Sequence, residues 1–441
     1  MTQTPPATRP SRIAGADLVV LGIEAGLVAV AVVAGALLNH WRVPIHADAA
    51  PLYARWLPHA GPGTPLALAV AAAVVWHGHR LAQLLPWRRL LLAAYLTALA
   101  WTLSLALVDG WSRGLATRLT PQAEYLHDVP KVTGIPAMLA GFTSHILDFH
   151  RGSWATHVAG HPPGAFLVFV VLDRIGLGGG GPAALVCVLV GASAPVSVAV
   201  ALRALGARST ATAALPFLVL FPGAVWIGAS ADGLFTGVVA AGLALLAVGG
   251  WRTALPGGLL LGFALYLSYG LVLAGALALA VLRLKPRDRA ATAALAGSGV
   301  VAVVAAFAVA GFWWPTGYHL VVERYYQGWA ADRPYGYWVW ADLAALALCA
   351  GPVLGPALRR AAVGFRPLRP DVRLLPAAAL LAILAADLSG LSKAEVERIW
   401  LPYAVWLLPA AGWLPRAHWR GWLVVQALTA LAVNHLLLTD W

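Results

Sequence analysis

Long apolar runs with few charged residues recur along this chain, and they constrain its fold more than any other feature. Charged residues make up 11% of the sequence, against about 25% in a typical soluble domain. A run of about 18 or more apolar residues is long enough to cross a bilayer as a helix, which pairs its own backbone polar groups. The sequence therefore predicts an all-α, polytopic membrane protein, with residues 1–441 forming a single integral membrane domain.

The positions of the apolar runs predict about 13 transmembrane helices. Residues 163–177 are apolar but too short to span, so they predict a juxtamembrane helix on the outer surface. The short pair 256–267 and 271–283 predicts a kink or a re-entrant turn around Ser268. The predicted spans are residues 17–39, 63–77, 90–109, 183–203, 210–228, 233–250, 256–267, 271–283, 289–310, 338–357, 374–388, 398–414 and 421–438.

The first apolar stretch, residues 18–38, predicts a membrane span and not a cleaved signal peptide. Its apolar length exceeds the roughly 7–15 residues of a signal-peptide core. The two cysteines, Cys187 and Cys349, lie inside apolar runs and predict small buried side chains without a disulfide. The heavy use of arginine over lysine, together with 45 glycines and 30 prolines, is typical of a bacterium with a high-GC genome.

The distribution of charge predicts the orientation in the membrane. With a cytoplasmic N-terminus, most of the 30 basic residues fall in cytoplasmic segments, but only Asp17, Asp288 and Asp371 of the 18 acids do. The net charge of +12 comes from basic residues in short loops between helices, so no nucleic-acid partner is predicted. The basic residues assigned to the cytoplasmic side are Arg9, Arg12, Arg80, Arg88, Arg89, Arg203, Arg208, Arg252, Arg283, Lys285, Arg287, Arg289, Arg359, Arg360, Arg366, Arg369, Arg373, Arg416 and Arg420.

One connection on the predicted outer face, residues 109–161, is long and polar. Connections in helical proteins are usually short unless the loop has a function. Glu124 and Asp128 in this loop are candidate catalytic residues, because a carboxylate can take a proton from an attacking hydroxyl. Asp48, in an earlier outer loop, competes for the same role. The loop also contains Asp148, His127, His145, His150, His157 and His161.

Two further outer patches combine arginines, acids and aromatic residues. One covers residues 318–338 and contains Arg324 and Arg333; the other covers residues 387–400 and contains Glu395 and Arg398. Arginine binds phosphate oxygens with two parallel hydrogen bonds, so these residues are candidates for phosphate or substrate binding. The alternative is structural: Trp and Tyr favour the membrane interface, and the arginines pair with neighbouring glutamates such as Glu397.

The segment from His157 to Gly164 ends the long polar loop. Pro162 and Pro163 cannot lie inside a helix but can begin one, so they place His161 where the loop enters the juxtamembrane helix. His157 and His161 have the i, i+4 spacing of two zinc ligands on one helix face. Gly160 and Pro162 disrupt such a helix, so no metal is predicted and no cofactor is indicated.

The same residues carry a resemblance to a known family. Glu124-Tyr125 early in the large outer loop, the later His161-Pro162-Pro163 and the following juxtamembrane helix resemble the GT-C glycosyltransferase superfamily, including its actinobacterial mannosyl- and arabinosyltransferases. The segment from Glu395 to Trp400 is similar to a Glu-x-x-Arg-x-Trp-like segment near the end of many members. The resemblance covers a core of about residues 90–414, and residues 17–89 form two additional N-terminal helices.

What the resemblance implies is an inverting transfer of a hexose or pentose from a polyprenyl-phosphate donor to a cell-envelope glycan, lipid or protein on the outer face. Glu124, or Asp128, matches the general base. His161 would lie near the donor phosphate and Arg398 would neutralise it, with His157, Arg324, Arg333 and Glu395 as further binding candidates. Tyr125 and Asp232 are secondary candidates together with Asp48.

The sequence departs from this family at Gly164, where leucine is usual, and it predicts no large soluble C-terminal domain. Three other functions stay open. The first is a lipid or glycan transporter or flippase, although such proteins place charges near the bilayer midplane and often contain repeated halves. The second is a ligase or polymerase of lipid-linked glycans, and the third is a non-catalytic membrane subunit.

Overall fold

The computed structural model describes residues 14–228, 230–363 and 371–439, and within them the fold is all-α, as the sequence predicts. Four basic residues assigned above to the cytoplasmic side, Arg9, Arg12, Arg366 and Arg369, lie outside the described residues. Two three-residue strands are the only β-structure in the described ranges.

In chain order, three long α-helices of the described residues precede the loop 109–161, which contains short helices, and a series of apolar helices follows it. The helices are α1 (Gly15–His40), α2 (Thr64–Leu84), α3 (Trp87–Ala106), α4 (Tyr125–Asp128), α5 (Ile135–Gly141), α6 (Thr156–Ala159), α7 (Pro163–Arg174), α8 (Gly180–Gly191), α9 (Ala194–Ala204), α10 (Arg208–Val219) and α11 (Ala224–Ile227). They continue with α12 (Ala231–Val248), α13 (Trp251–Leu267), α14 (Ala274–Leu284), α15 (Arg289–Val309), α16 (Trp314–Tyr326), α17 (Tyr335–Ala350), α18 (Leu354–Val363), α19 (Leu374–Leu388), α20 (Val396–Ile399), α21 (Leu401–Ala404) and α22 (Trp419–Leu436).

Short helical turns and two strands complete the described structure. The turns are Leu107–Asp109, Ser112–Ala116, Val129–Lys131, Phe142–His145, Tyr269–Leu273, Trp329–Ala331, Leu408–Trp413 and Arg416–His418. Strand β1 (Ala54–Trp56) pairs antiparallel with β2 (Leu437–Thr439). The pairing joins the loop after α1 to the end of α22.

Several of these helices have the length and composition of membrane-spanning helices. In the described part of the chain five helical segments are long and apolar enough to cross a membrane, or six if the bent pair of α17 and α18 counts as one span. The five segments are Gly15–His40, Trp87–Asp109, Gly180–Ala204, Ala231–Val248 and Arg289–Val309. The other predicted spans are shorter, interrupted or, like α2 and α22, long enough but not apolar enough, so the number 13 is not confirmed.

Two of the predicted spans are interrupted, and the prediction of continuous helices there is wrong. In 338–357, α17 ends before Gly351, whose φ of 90° leaves the helical region, and α18 continues at 94° to it. In 210–228, α10 ends at Val219 and the chain turns before α11. Pro222 lies in that turn, and a proline disfavours helical geometry in the residue before it.

The predicted span 398–414 is also wrong as a continuous helix. It consists of the one-turn helices α20 and α21 and the 3₁₀ segment Leu408–Trp413. Pro402 and Pro409 have no amide hydrogen for a helical hydrogen bond, and both begin new turns. Nearly all of this segment is buried, so its apolar composition reflects a protein core.

The kink predicted near Ser268 is present. Ser268 has extended backbone angles (φ −153°, ψ 141°) that end α13. Helix α7 begins at Pro163, as the two prolines predict. A Cβ atom on Gly164 would lie 2.6 Å from the carbonyl oxygen of Tyr266, so glycine allows α7 to approach the end of α13 more closely than leucine would.

Helix α12 lies at the centre of the fold. It packs against α8, α9, α13 and α21, and most of its residues are buried, including Asp232 in its first turn. A carboxylate at the start of a buried apolar helix requires a cationic partner. The element that supplies this partner therefore has to dock at the N-terminal end of α12.

The first helix, α1, is held to the rest of the fold by polar contacts on one face. The Asp17 carboxylate accepts hydrogen bonds from Nε of Arg359 (3.0 Å) and of Arg360 (2.7 Å). Glu24 Oε1 accepts a hydrogen bond from the backbone amide of Gly355 (2.8 Å). These contacts attach α1 to α18, and most of the other side chains of α1 are exposed and apolar.

Helices α13 and α15 cross at glycines whose positions generate a testable prediction. A Cβ atom on Gly299 would lie 2.7 Å from backbone atoms of α13, whereas one on Gly297 would meet nothing within 4 Å. We expect Gly299→Val to lower the thermal unfolding temperature in detergent, because overpacking costs about 1–3 kcal/mol. Gly297→Val, on the same helix, is the matched control; equal effects of the two substitutions would show that the crossing is not tightly packed.

Candidate functional site

A small buried cavity lies where the loop 109–161 meets the N-terminal end of α12 and the turn α20. Its volume is about 10 Å³, which is room for about one water molecule. The cavity thus brings together residues that are far apart in the sequence. Its lining consists of Arg118, Leu119, Glu124, Tyr125, His157, Ser230, Ala231, Asp232 and Arg398.

Arg398 is the cationic centre of this site. Its Nη1 donates to Asp232 Oδ2 (2.7 Å) and its Nη2 donates to Glu395 Oε2 (2.7 Å). The side chain is 7% exposed, and two carboxylates compensate for the burial of its charge. The sequence predicts Arg398 at the start of an apolar helix, but the residue lies in the one-turn helix α20 instead.

His157 connects Arg398 to Glu124, and its contacts determine its tautomer. Arg398 Nη2 lies 3.0 Å from His157 Nε2; a guanidinium only donates, so Nε2 accepts and carries no proton. The proton is then on Nδ1, which lies 3.0 Å from the Ala123 carbonyl oxygen and 3.1 Å from Glu124 Oε1. Burial, reinforced by Arg398 and His161, lowers the pKa of His157 to about 3, so the imidazole is neutral.

Glu124 carries its carboxyl group into the cavity at the N-terminal end of α4. The residue is 4% exposed. Burial raises the pKa of the Glu124 carboxyl to about 8, a shift that Arg398 opposes and Asp232 reinforces. Near neutral pH the group is therefore largely protonated, and it becomes a carboxylate above about pH 8.

His161 lies at the start of α7, beside Tyr125 and Phe235. Its Nδ1 is 2.8 Å from the carbonyl oxygen of His157, so the Nδ1 proton is donated to that oxygen. Burial lowers the pKa of His161, and in the neutral ring Nε2 is an acceptor. In this geometry His161 accepts hydrogen bonds at Nε2 and does not donate one to a phosphate oxygen.

The other two candidates for the base lie outside the cavity lining. Asp128 is buried, accepts a hydrogen bond from the Ala155 amide (2.6 Å) and pairs with Lys131 (2.5 Å). These contacts hold the loop 109–161 together. Asp48 is exposed in a turn of the loop after α1. Of the three acids Glu124, Asp128 and Asp48, which the sequence proposes as the base, Glu124 alone lines the cavity.

The two arginines of the second outer patch have different surroundings. Arg324 forms an ion pair with Asp148, which attaches α16 to the loop 109–161, and it does not line the cavity. Arg333 donates from Nη2 to Glu395 Oε1 (3.0 Å) and from Nη1 to the Lys393 carbonyl oxygen (2.8 Å). Arg333 therefore contacts the site through Glu395.

Of the charged residues that line the cavity, sequence reasoning missed Arg118 and gave Asp232 too little weight. Arg118 lines the cavity and pairs with Asp109 (3.2 Å), but in the sequence it resembles an ordinary loop arginine. Asp232 is only a secondary candidate by sequence, yet it is the most buried anionic partner of Arg398. Its signal is present in the sequence, because a single acid in an apolar span marks a functional or paired position.

The described ranges contain no group of three or more His, Cys, Asp or Glu residues that could hold a metal ion. No protein-family model matches this chain, and comparisons with curated proteins and with solved structures also found no match.

The different contacts of the two loop acids predict different effects on stability. Asp128→Asn should lower the thermal unfolding temperature, since the ion pair with Lys131 is lost and bonds to charged groups contribute about 1.5–3 kcal/mol. Glu124→Gln should change it little, because the native group is already largely neutral near pH 7. Circular dichroism melts of both variants would test this; a larger loss for Glu124→Gln would show that Glu124 is the structural acid.

Proposed function

We propose that this protein is a membrane glycosyltransferase that moves a sugar from a polyprenyl-phosphate donor to a cell-envelope acceptor on the outer face of a bacterial plasma membrane. The observation that carries the proposal is that Glu124 and Arg398, the residues matched by the family resemblance, line one cavity. They belong to distant parts of the sequence. A base and a phosphate-binding cation have to be neighbours in such a reaction.

In the proposed reaction Glu124, as a carboxylate, accepts the proton of an acceptor hydroxyl group. The hydroxyl oxygen attacks the anomeric carbon of the donor sugar as the bond from that carbon to the phosphate oxygen breaks. The configuration is inverted and the polyprenyl phosphate leaves. Arg398 stabilises the negative charge that develops on the leaving phosphate.

The size of the cavity places a requirement on this mechanism. A volume of about 10 Å³ admits a water molecule but no sugar. Substrates would therefore have to separate the loop 109–161 from α20 before they reach Glu124. The contact of His157 with Arg398 is the connection between these two elements that would open.

A lipid or glycan transporter is the second candidate, and buried acids are the observation that favours it. Asp342 in α17 is 1% exposed, and Glu24 lies within α1 and hydrogen bonds to the backbone of α18. Ionisable side chains inside apolar helices are typical of transport pathways. Reconstitution in liposomes distinguishes the two, because a transporter moves labelled lipid across the bilayer without forming a glycosidic bond.

The protonation of Glu124 predicts a pH dependence of sugar transfer. A base must be deprotonated, so kcat/KM should rise about tenfold per pH unit up to about pH 8 and level off above it. Glu124→Gln should lower the rate by about 10²–10⁴. Transfer from a polyprenyl-phosphate sugar would be measured with Glu323→Gln, an exposed acid of α16, as the control. Full turnover of Glu124→Gln would refute the role of Glu124.

The proposed orientation has a separate test. Thr120 in the loop 109–161 and Ala362 at the end of α18 are both exposed, and the two native cysteines are buried. A membrane-impermeant thiol reagent added to intact cells should label Thr120→Cys but not Ala362→Cys until the cells are opened. The reverse pattern would invert the topology and place the site on the cytoplasmic side.

A further inference from the structure

Two arginines share the single carboxylate of Glu395. Oε2 accepts from Nη2 of Arg398 at 2.7 Å, and Oε1 accepts from Nη2 of Arg333 at 3.0 Å. Burial alone would raise the pKa of Glu395, but Arg398 and Arg333 outweigh it and lower the pKa to about 2. The carboxylate is therefore ionised and lies between the two guanidinium groups.

The two carboxylates bound to Arg398 differ in exposure and support. The side chain of Glu395 is 17% exposed, compared with 6% for Asp232. Asp232 is fixed in the first turn of the long buried helix α12, whereas Glu395 lies in a loop just before α20. An anion that approaches Arg398 from the outer face would therefore meet Glu395 first.

The backbone around Glu395 is held in an unusual conformation. Ala394 and Glu395 both have left-handed φ angles, of 67° and 63°, which residues with a side chain adopt at an energetic cost. Asp342 Oδ1 accepts a hydrogen bond from the Ala394 amide (3.3 Å). Lys393 holds the preceding turn through a bond from its Nζ to the Arg333 carbonyl oxygen (2.9 Å). These contacts hold the backbone that places the Glu395 carboxylate between the arginines.

We propose that Glu395 is a built-in anion that occupies the phosphate position on Arg398, and that Arg333 retains Glu395 when a phosphate ester takes that position. The inference rests on the proposed function, since it assigns the phosphate of the donor to Arg398. It makes Arg333 a positioning residue, because Arg333 acts on the phosphate position through Glu395.

Charge balance is the physical reason for this exchange. Arg398 already faces two carboxylates, so a phosphate added to both would be repelled by like charges in a poorly solvated site. A buried carboxylate that lost its only cation would also be unfavourable. Arg333 removes that cost, because Glu395 can release Arg398 and remain paired. Asp232 stays on Nη1, and Nη2 becomes accessible to a phosphate oxygen.

The exchange predicts that removal of a negative charge at Glu395 strengthens phosphate binding. The full chain in detergent would be titrated with inorganic phosphate and, separately, with decaprenyl phosphate, and binding would be followed by tryptophan fluorescence. Glu395→Gln should bind both about tenfold more tightly than the wild-type protein. Tighter binding of decaprenyl phosphate than of inorganic phosphate would identify a lipid as the source of the phosphate.

Arg333→Gln should have the opposite effect, with binding about tenfold weaker, because Glu395 then has Arg398 as its remaining arginine partner and is harder to displace. Arg333→Lys should recover part of the loss. Glu323→Gln removes the same charge from an exposed position on α16 and should bind like the wild-type protein. If Glu395 only supported the structure of the site, Glu395→Gln would bind phosphate more weakly. Tighter phosphate binding by Glu395→Gln therefore distinguishes the proposed role from a structural one.

Several outcomes would overturn the inference. Unchanged or weaker phosphate binding by folded Glu395→Gln is one, and tightening by Glu323→Gln to the same extent is another. If Glu395→Gln does not fold, equal binding by the wild-type protein, Arg333→Gln and Arg333→Lys would refute it. Sugar transfer is measured separately. If Glu395→Gln binds phosphate more tightly but the wild-type protein transfers no sugar, the proposed glycosyltransferase activity is refuted, whereas the exchange of Glu395 for phosphate is supported.

Discussion

The ion pair between Arg398 and Asp232 is the interaction on which the site depends. Both side chains are almost completely buried, and in such surroundings neither charge is tolerated without the other. Asp232 is fixed at the start of α12, the central helix, so Arg398 has to come to it. The single helical turn α20 therefore lies in the core, and Pro402 and Pro409 divide the apolar segment after it into short buried turns.

The other groups of the site are oriented by hydrogen bonds whose donor is fixed by the chemistry of Arg398. A guanidinium only donates, so Arg398 makes His157 Nε2 an acceptor and places the imidazole proton on Nδ1, next to Glu124. The loop 109–161 is thereby joined to α20 through a neutral ring. Glu124 is left in a poorly solvated position with a raised pKa, while Glu395, between two arginines, remains ionised. Carboxyl groups with well-separated pKa values are typical of sites that handle protons.

The N-terminal region is part of this arrangement and not an appendage. Helix α1 is attached to α18 by Asp17 and Glu24, and the loop that follows α1 pairs with the segment after α22 through β1 and β2. The same loop donates the amide of Tyr53 to Glu397, next to Arg398 in the sequence. The loop after α1 therefore contributes to the surroundings of the site.

The sequence by itself determined the helical class, because long apolar runs have no other way to pair their backbone in a bilayer. It also determined the start of α7, since proline fixes the backbone locally, and it drew attention to Glu124, His157 and Arg398 by their chemistry. It did not determine that the segment after Arg398 is core: apolar composition is the same for a span and for a buried turn, and only packing distinguishes them. The tertiary structure alone decided that Asp232 and Glu395 both bind Arg398 and that Asp128 instead holds the loop. Such choices depend on which distant charges meet, and no local pattern in the sequence encodes them.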